Sequence, residues 1–489
     1  MNSCHHYNRA NSGWPFYGLV ALLIFVAACS VGPDYKRPAV TTPTGYKEAD
    51  SAATAQSIDD VIKLKWWEMF ADTELNALED QVDLSNQTVA QAEARYRQVR
   101  ALVVSARAAY YPTVTLGVGV TREQNSGVGV TREQNSPRVS SGPAKASPQF
   151  TEHTLPIDMS WEIDVWGRIR RTVESGEANA QASAADLAAA KLSARAQLAQ
   201  AYFQLRIVDA QKQLLDATVA ADQKSLELTT NRYNSGVVSR GDVLQAETQL
   251  KTTQAQAVDT GVQRAQLEHA IALLIGKAPA DLSIAVAPLK ITPPELPAGA
   301  PEEILKRRPD VAAAERSMAA ANAQIGVAVA AYYPSMSVNT TGGFESSNLA
   351  KWFSWMGRFW SAGLSMTQTL FDGGLRSAQV DQARANYDAT VANYRQTVLT
   401  GFQEVEDNLA AQQILGSEAQ AQDAAVNAAQ QSLALTLNQY QAGIVSYLNV
   451  VVAQTTALAN QRAAVDILGR RLSASVLLVK ALGGGWKTA

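Results

Sequence analysis

Few residues in this 489-residue chain have the type and spacing to do chemistry, and the one that stands out is a cysteine. There are two, Cys4 and Cys29, both near the N-terminus. An internal disulfide framework and a Cys-based metal site are therefore excluded. Cys29 follows an apolar run at 18–28 that ends in Val26-Ala27-Ala28. Small residues before a cysteine suit a lipoprotein signal peptidase, after which the thiol takes acyl chains. The plainer alternative is a secretory peptide cut after Ala28. Ser30, rather than an aspartate, follows the cysteine, which directs lipoproteins to an outer membrane. Of the histidines His5, His6, His153 and His269, only the first two are adjacent, in the segment expected to be removed. Glu404 and Glu406, two apart on a helix, point to different faces and read as solvated surface. Nucleotide-binding glycine loops, HExxH and GxSxG are absent. The residues point to no enzyme, no metal and no cofactor beyond a covalent lipid on Cys29.

The elements around these residues are unusually long. The formal net charge is −3, with Arg9 the only charge before Cys29, which argues against nucleic acid as a partner. The apolar run at 18–28 is about half of the roughly 20 residues that a spanning helix needs. No later stretch reaches that length without charges, so any membrane crossing would be by strands. After a Pro/Thr/Ser-rich linker, Trp66, Trp67 and Phe70 open the structured region, and a helix is expected over 72–109, stopped by Tyr110-Tyr111-Pro112. Val114, Leu116, Val118 and Val120 then alternate with Thr and Gly. In a second strand Leu155, Ile157, Met159, Trp161 and Ile163 alternate with Thr154, Pro156, Asp158, Ser160 and Glu162. Such alternation suits a wall with lipid on one side and water on the other. Between these strands GVGVTREQNS occurs twice in tandem, at 117–126 and 127–136. An even insertion keeps strand parity, so the repeat lengthens a loop without turning side chains over. From 167 to 234 only Gly176 interrupts a helix of roughly 67 residues, about 100 Å long at ~1.5 Å per residue. A return helix to Ile275 and a Pro-rich crossover follow.

The pattern then repeats. A helix from Glu302 ends at Tyr332-Tyr333-Pro334. Two strands follow, one through Met336 and Val338 and one through Trp360, Leu364 and Met366. A second long helix, a tip at Ala442-Gly443 and a return helix to Leu482 complete the copy. Aligned at the tips, Asn231 to Ser239 and Asn438 to Ser446 share five of nine residues, with Arg232 against Gln439 the one non-conservative pair. The internal repeat is about 207 residues long. Four strands per chain cannot close a barrel, and an open edge is not tolerated in lipid. Several chains must therefore contribute, at least three if the barrel is to hold water. The stripes on the long helices could also belong to an ordinary coiled-coil rod. Tyr111, Trp161, Tyr333 and Trp360 fit either plain packing or an interfacial aromatic belt.

These residues resemble the TolC superfamily of outer-membrane factors, in the lipoprotein branch that serves resistance–nodulation–division pumps. The carriers are CSVGPDYKRP at 29–38, the two YYP turns, WEIDVWGR at 161–168, RRPDV at 307–311, LFDGG at 370–374 and the two tips. The resemblance implies a mostly α chain with a small membrane β-barrel, twelve-stranded in a homotrimer, continuing into a long α-helical periplasmic barrel. It divides the chain into a signal peptide (1–28), a lipidated linker (29–70), a first repeat (71–275), a crossover (276–301), a second repeat (302–482) and a disordered tail (483–489). It implies a passive exit duct for small molecules in the outer membrane of a Gram-negative bacterium. Its partners would be a periplasmic adaptor, an inner-membrane pump and outer-membrane lipid. Adaptor docking falls on Ser235, Gly236, Val237 and Val238 and on Ala442, Gly443, Ile444 and Val445. The gate falls on Asp242, matched to an aspartate that bonds to a neighbouring helix, and on Tyr440, Leu448, Asn449 and Val452. Relatives carry acids on the second hairpin where this chain has Asn449 and Val452, so an apolar constriction is expected in place of an anionic ring. A type I protein secretion channel and a poreless coiled-coil scaffold are the competing readings.

Overall fold

The computed structural model describes residues 30–48, 62, 65–123, 150–287, 291–294, 296–297 and 300–486. Cys29, the signal segment and the second decapeptide copy lie outside them. The helices are α1 (Thr73–Ser85), α2 (Gln87–Ala108), α3 (Arg168–Asn234), α4 (Arg240–Leu274), α5 (Pro301–Arg307), α6 (Pro309–Ala330), α7 (Leu375–Gln441) and α8 (Tyr447–Ala481). The strands are β1 (Thr113–Leu116), β2 (Gly119–Glu123), β3 (Phe150–Ile163), β4 (Ser335–Ser346) and β5 (Arg358–Thr367). The duplication is visible in the lengths: α3 and α7 have 67 residues each, and α4 and α8 have 35 each.

Two helices expected to be continuous are broken, each for a local reason. Asn86 takes an extended conformation between α1 and α2. Its side chain accepts from Val89 N–H at 3.0 Å, starting α2, and donates to Leu274 O at 2.7 Å. An asparagine amide that satisfies a free helix end competes well with helical continuation. Arg308 is extended between α5 and α6 because Pro309 follows it, and a residue before proline avoids the α region.

The chain divides into two compact units. One comprises Arg37–Val99, Asn179–Met318 and Thr390–Ala489. Its core includes Trp66, Trp67, Leu75, Leu198, Tyr202 and Phe203, all nearly or fully buried, with the Phe70 and Phe203 rings 4.7 Å apart. Arg308 is buried among Asp310, Glu404 and the Ala481 carbonyl, with Glu404 at 2.6 Å. Glu406 accepts from the Lys47 and Glu48 backbone at 2.8 and 3.1 Å. The two glutamates do point apart, and both are half-buried and engaged: one holds a buried arginine and the other pins the N-terminal strap. The tail reading also needs correction. Gly483 and Gly484 are buried and close α8 through bonds to Lys480 O and Val479 O at 3.0 and 2.9 Å. A Cβ on Gly483 would stand 2.2 Å from Arg307 O, so only glycine fits there. Order therefore extends at least to Trp486, and residues 487–489 lie outside the description.

The other unit comprises Arg100–Ala178, Ala319–Ala389 and the described part of the first 36 residues. It holds an antiparallel sheet in the order β1-β3-β4-β5, with β2 also pairing β3. The expected first strand is split into β1 and β2. Pro156 lies opposite the gap, and lacking an N–H it cannot complete the ladder. The register is the same on both sides, with Leu116 opposite Ile157 and Gly119 opposite Thr154. Parity is therefore kept, and one face carries Val114, Leu116, Ile157, Leu364 and Met366, each more than half exposed. The opposite face carries Asp158, Ser160, Glu162, Asn339 and Thr341, where Thr341 donates to Asp158 at 2.7 Å. Of the four aromatics, Trp161 donates to Tyr110 O at 3.1 Å, and Tyr333, 41% exposed, stacks on Trp166 at 4.8 Å. Tyr111 and Trp360 are 72% and 82% exposed.

Candidate functional site at the helical tips

Both hairpins turn by the same device. Gly236 and Gly443 sit at φ 78° and 79°, a left-handed conformation that glycine adopts at little cost. Gly236 N–H donates to Tyr233 O at 2.8 Å and Val237 N–H to Arg232 O at 2.9 Å. The second tip repeats this with Gly443 to Tyr440 O at 3.0 Å and Ile444 to Gln439 O at 2.9 Å. These are the two bonds of a Schellman ending, in which the residue after the glycine usually packs on its own helix. Here Val237 is 61% and Ile444 72% exposed. Two apolar side chains are thus held outward on rigid turns, flanked by Ser235, Val238, Ala442 and Val445.

The return helices start differently. Asp242 closes a capping box: Ser239 N–H donates to its carboxylate at 3.0 Å, and Asp242 N–H donates to Ser239 Oγ at 3.3 Å. Within the chain its carboxylate serves its own helix start. In the second copy Asn449 stands at the equivalent position, and Ser446 makes no side-chain cap bond. Restoring the acid with Asn449→Asp is expected to stabilise the second tip by about 0.5–1 kcal/mol, the usual worth of a cap. A higher denaturation midpoint would show it, and an unchanged or lower one would count against the capping account.

Tyr440 is buried. Its ring meets Tyr447 edge-on at 5.5 Å, and its hydroxyl lies 3.1 Å from Thr229 Oγ1. The Arg232 guanidinium lies over the same ring at 4.6 Å and donates to the Tyr440 carbonyl. Tyr440 therefore joins the second hairpin to the first, in a cluster with Ala246 and Val450. Leu448 and Val452, four apart on α8, are 53% and 58% exposed and share one helical face. Asn449 is exposed beside them.

Deeper between the hairpins lies Asp222, fully buried, accepting from Thr253 Oγ1 at 2.8 Å. Burial pushes its carboxyl above the usual range. Burial, with the nearby Asp222 charge, pushes the Tyr447 phenol up to about 12. The second Asp222 oxygen and Tyr447 OH have no partner among the described residues. Asp222, Ser225 and Gln454 border a cavity of about 430 Å³ whose remaining lining is largely apolar. The sequence reading missed Arg232, Thr229, Asp222 and Tyr447 as working residues. One signal was available: Arg232 against Gln439 is the odd pair in the tip alignment, and it is the arginine that forms the clasp. Among the described residues no group of acids, histidines and cysteines could hold a metal ion.

The family pattern described as outer membrane efflux protein matches residues 78–277 and 300–484. The chain belongs to that family. This outer membrane efflux protein is 31% identical over 479 residues to the toluene efflux pump outer membrane protein TtgF of Pseudomonas putida, with 96% of this chain and 97% of the relative covered. It is 30% identical over 476 residues to outer membrane protein OprJ of Pseudomonas aeruginosa, with 96% of each covered. Among solved structures it is similar to the outer-membrane channel OprN, at 30% identity and a TM-score of 0.85, over 94% of this chain and all of that one. It is also similar to the open state of the MtrE outer membrane channel of Neisseria gonorrhoeae, at 28% identity and a TM-score of 0.81, over 94% of this chain and 99% of that one. Membership of this family makes the protein a channel component rather than an enzyme.

Proposed function

We propose that this outer-membrane channel is the exit duct of a tripartite efflux system, and that three copies close one twelve-stranded barrel through which small molecules pass passively. The observation that carries the reading is the sheet. It is four strands wide, apolar and exposed on one face and polar on the other, with the outer edges of β1/β2 and β5 unpaired among the described residues. An apolar face seeks lipid, and an unpaired edge in lipid costs several kcal/mol per unsatisfied group, so the edges must meet those of other copies. Three copies give twelve strands, enough for a watery lumen. The detergent-purified chain is expected to run at the mass of three protomers and to conduct ions in planar bilayers. A monomer without conductance would sink the proposal.

The tips supply the docking surface for a periplasmic adaptor, which would open the gate in concert with an inner-membrane pump. Support comes from the outward Val237 and Ile444 on rigid turns. At the constriction, Leu448 and Val452 face out with Asn449 and no acid, so divalent cations should block the open channel weakly. Asn449→Asp should tighten block by roughly tenfold, the equivalent of about 1.4 kcal/mol. Strong block of the unaltered channel, relieved by changes at the tip, would contradict the apolar gate.

Cys29 carries acyl chains in this reading. The residues that follow it are firmly seated: Val31 N–H donates to Trp166 O at 3.1 Å, and Arg171 pairs with Asp34 at 2.7 Å. A Cβ on Gly167 would stand 2.8 Å from Ser30 Oγ, so the strap lies against the end of β3. Labelled palmitate should enter the chain and be lost in Cys29→Ala; equal labelling of both would overturn the assignment.

A further inference from the structure

The connection between β4 and β5 lies at the end of the sheet away from the helices, and it is built rather than loose. Asn348 accepts from Ala350 N–H at 2.9 Å, and Ser346 Oγ accepts from Asn348 N–H at 3.1 Å. A Cβ on Gly357 would stand 2.9 Å from Glu345 O, so the segment closes directly onto the end of β4. Its side chains fold over the apolar face of the sheet. Phe353 meets Phe344 edge-on at 5.6 Å, and Trp352 lies 5.6 Å from His153. By register, Phe344 is on the face of Leu155 and Leu364, and so is Arg358, its partner on β5. Arg358 lies over the Trp355 ring. The outermost side chains are apolar and in water: Phe353 is 66% exposed, Trp355 81% and Met356 93%. Within 347–358 the charged residues are Lys351 and Arg358, both exposed, and there is no carboxylate. Exposed Glu345 stands at the base of the connection but is turned by register to the opposite face from Phe344. An apolar platform continuous with the lipid-facing wall, with Lys351 and Arg358 as its own charges, complements one kind of partner: an acyl lipid with an anionic headgroup.

We propose that the β4–β5 connection is a binding site for an anionic, phosphate-bearing lipid, whose headgroup is held by Lys351 and Arg358 and whose chains lie along Phe353, Trp355 and the apolar face. The proposal rests on the reading of the sheet as a membrane wall. Each cation near an anionic lipid surface contributes roughly fivefold to binding, so the pair should favour an anionic over a zwitterionic lipid by roughly thirtyfold. Native mass spectrometry of the full-length protein in detergent reads this directly. The probes are an acylated diphosphoryl glycolipid, phosphatidylglycerol, phosphatidylethanolamine and inorganic phosphate. The anionic lipids should be retained in preference to phosphatidylethanolamine, and the preference should vanish in Lys351→Gln/Arg358→Gln. Phe353→Ala/Trp355→Ala should weaken retention of every lipid, and free phosphate should not compete. Equal retention of charged and zwitterionic lipids, an unchanged preference in the double glutamine variant, or competition by millimolar phosphate would each overturn the site. Bilayer conductance of the same preparations separates the two readings. A conducting protein without the preference removes this inference alone, whereas a protein that does not insert removes the membrane-wall reading as well.

Discussion

Val237→Asp combined with Ile444→Asp is expected to abolish export while the protein still reaches the outer membrane and assembles. Both positions follow a left-handed glycine in a turn closed by backbone bonds, with help from Ser235 at the first tip and Arg232 at the second, so neither the Val237 nor the Ile444 side chain holds its hairpin together. Both are mostly exposed, so a carboxylate there costs the isolated channel little. A docked partner would bury them, and an unpaired buried charge costs several kcal/mol at each site. With two sites per chain the penalties multiply. Minimum inhibitory concentrations should fall to those of a strain lacking the channel, and cross-links from the tips to the adaptor should disappear. Export at the unaltered level, with both aspartates in place, would remove the tips as the docking surface.

Glu79→Gln is expected to stabilise the fold near neutral pH. Glu79 on α1 is fully buried, and neither carboxylate oxygen has a partner among the described residues. Burial, partly offset by nearby Arg195, raises its pKa from 4.5 to about 9. The folded chain therefore keeps a proton that the unfolded chain releases. The sign follows: below the unfolded pKa both states are protonated and nothing is lost, and stability falls as pH rises from about 4.5 toward 9. At about 1.4 kcal/mol per pH unit, the loss at pH 7 reaches about 3 kcal/mol. The amide removes this dependence. The variant should melt higher than the unaltered protein at pH 8 and nearly together with it at pH 4.5. A melting difference that stays constant between those two pH values would show that Glu79 is not the titrating group.

Much of this architecture was legible because it depends on local rules. The YYP stops, the two αL glycines, the absence of proline from 167 to 234 and the strict alternation along 155–163 each act over a few residues. The near-identity of the two tips then exposed the duplication. What was misread depended on distant partners. Asn86 breaks a helix because the Leu274 carbonyl is there to take its amide. Glu404 and Glu406 have the same sequence signature, yet one meets Arg308 and the other a backbone strap. The tip motif marks Tyr440 but not its partners, Thr229 and Arg232 of the other hairpin, which bury it. Gly483 looked like the start of a loose tail until the Arg307 carbonyl was found against it.

The sequence by itself determined the helical hairpin and its repeat, the alternation of the sheet and the turn chemistry of the tips, because backbone sterics and periodicity are set by neighbours along the chain. The tertiary structure alone decided which tip residues join the hairpins and which face outward. It also decided which carboxylates are buried, and that the aromatics between β4 and β5 lie on the apolar face beside two cations. Those outcomes depend on residues tens to hundreds of positions apart, where packing and desolvation choose the partner and no local rule can.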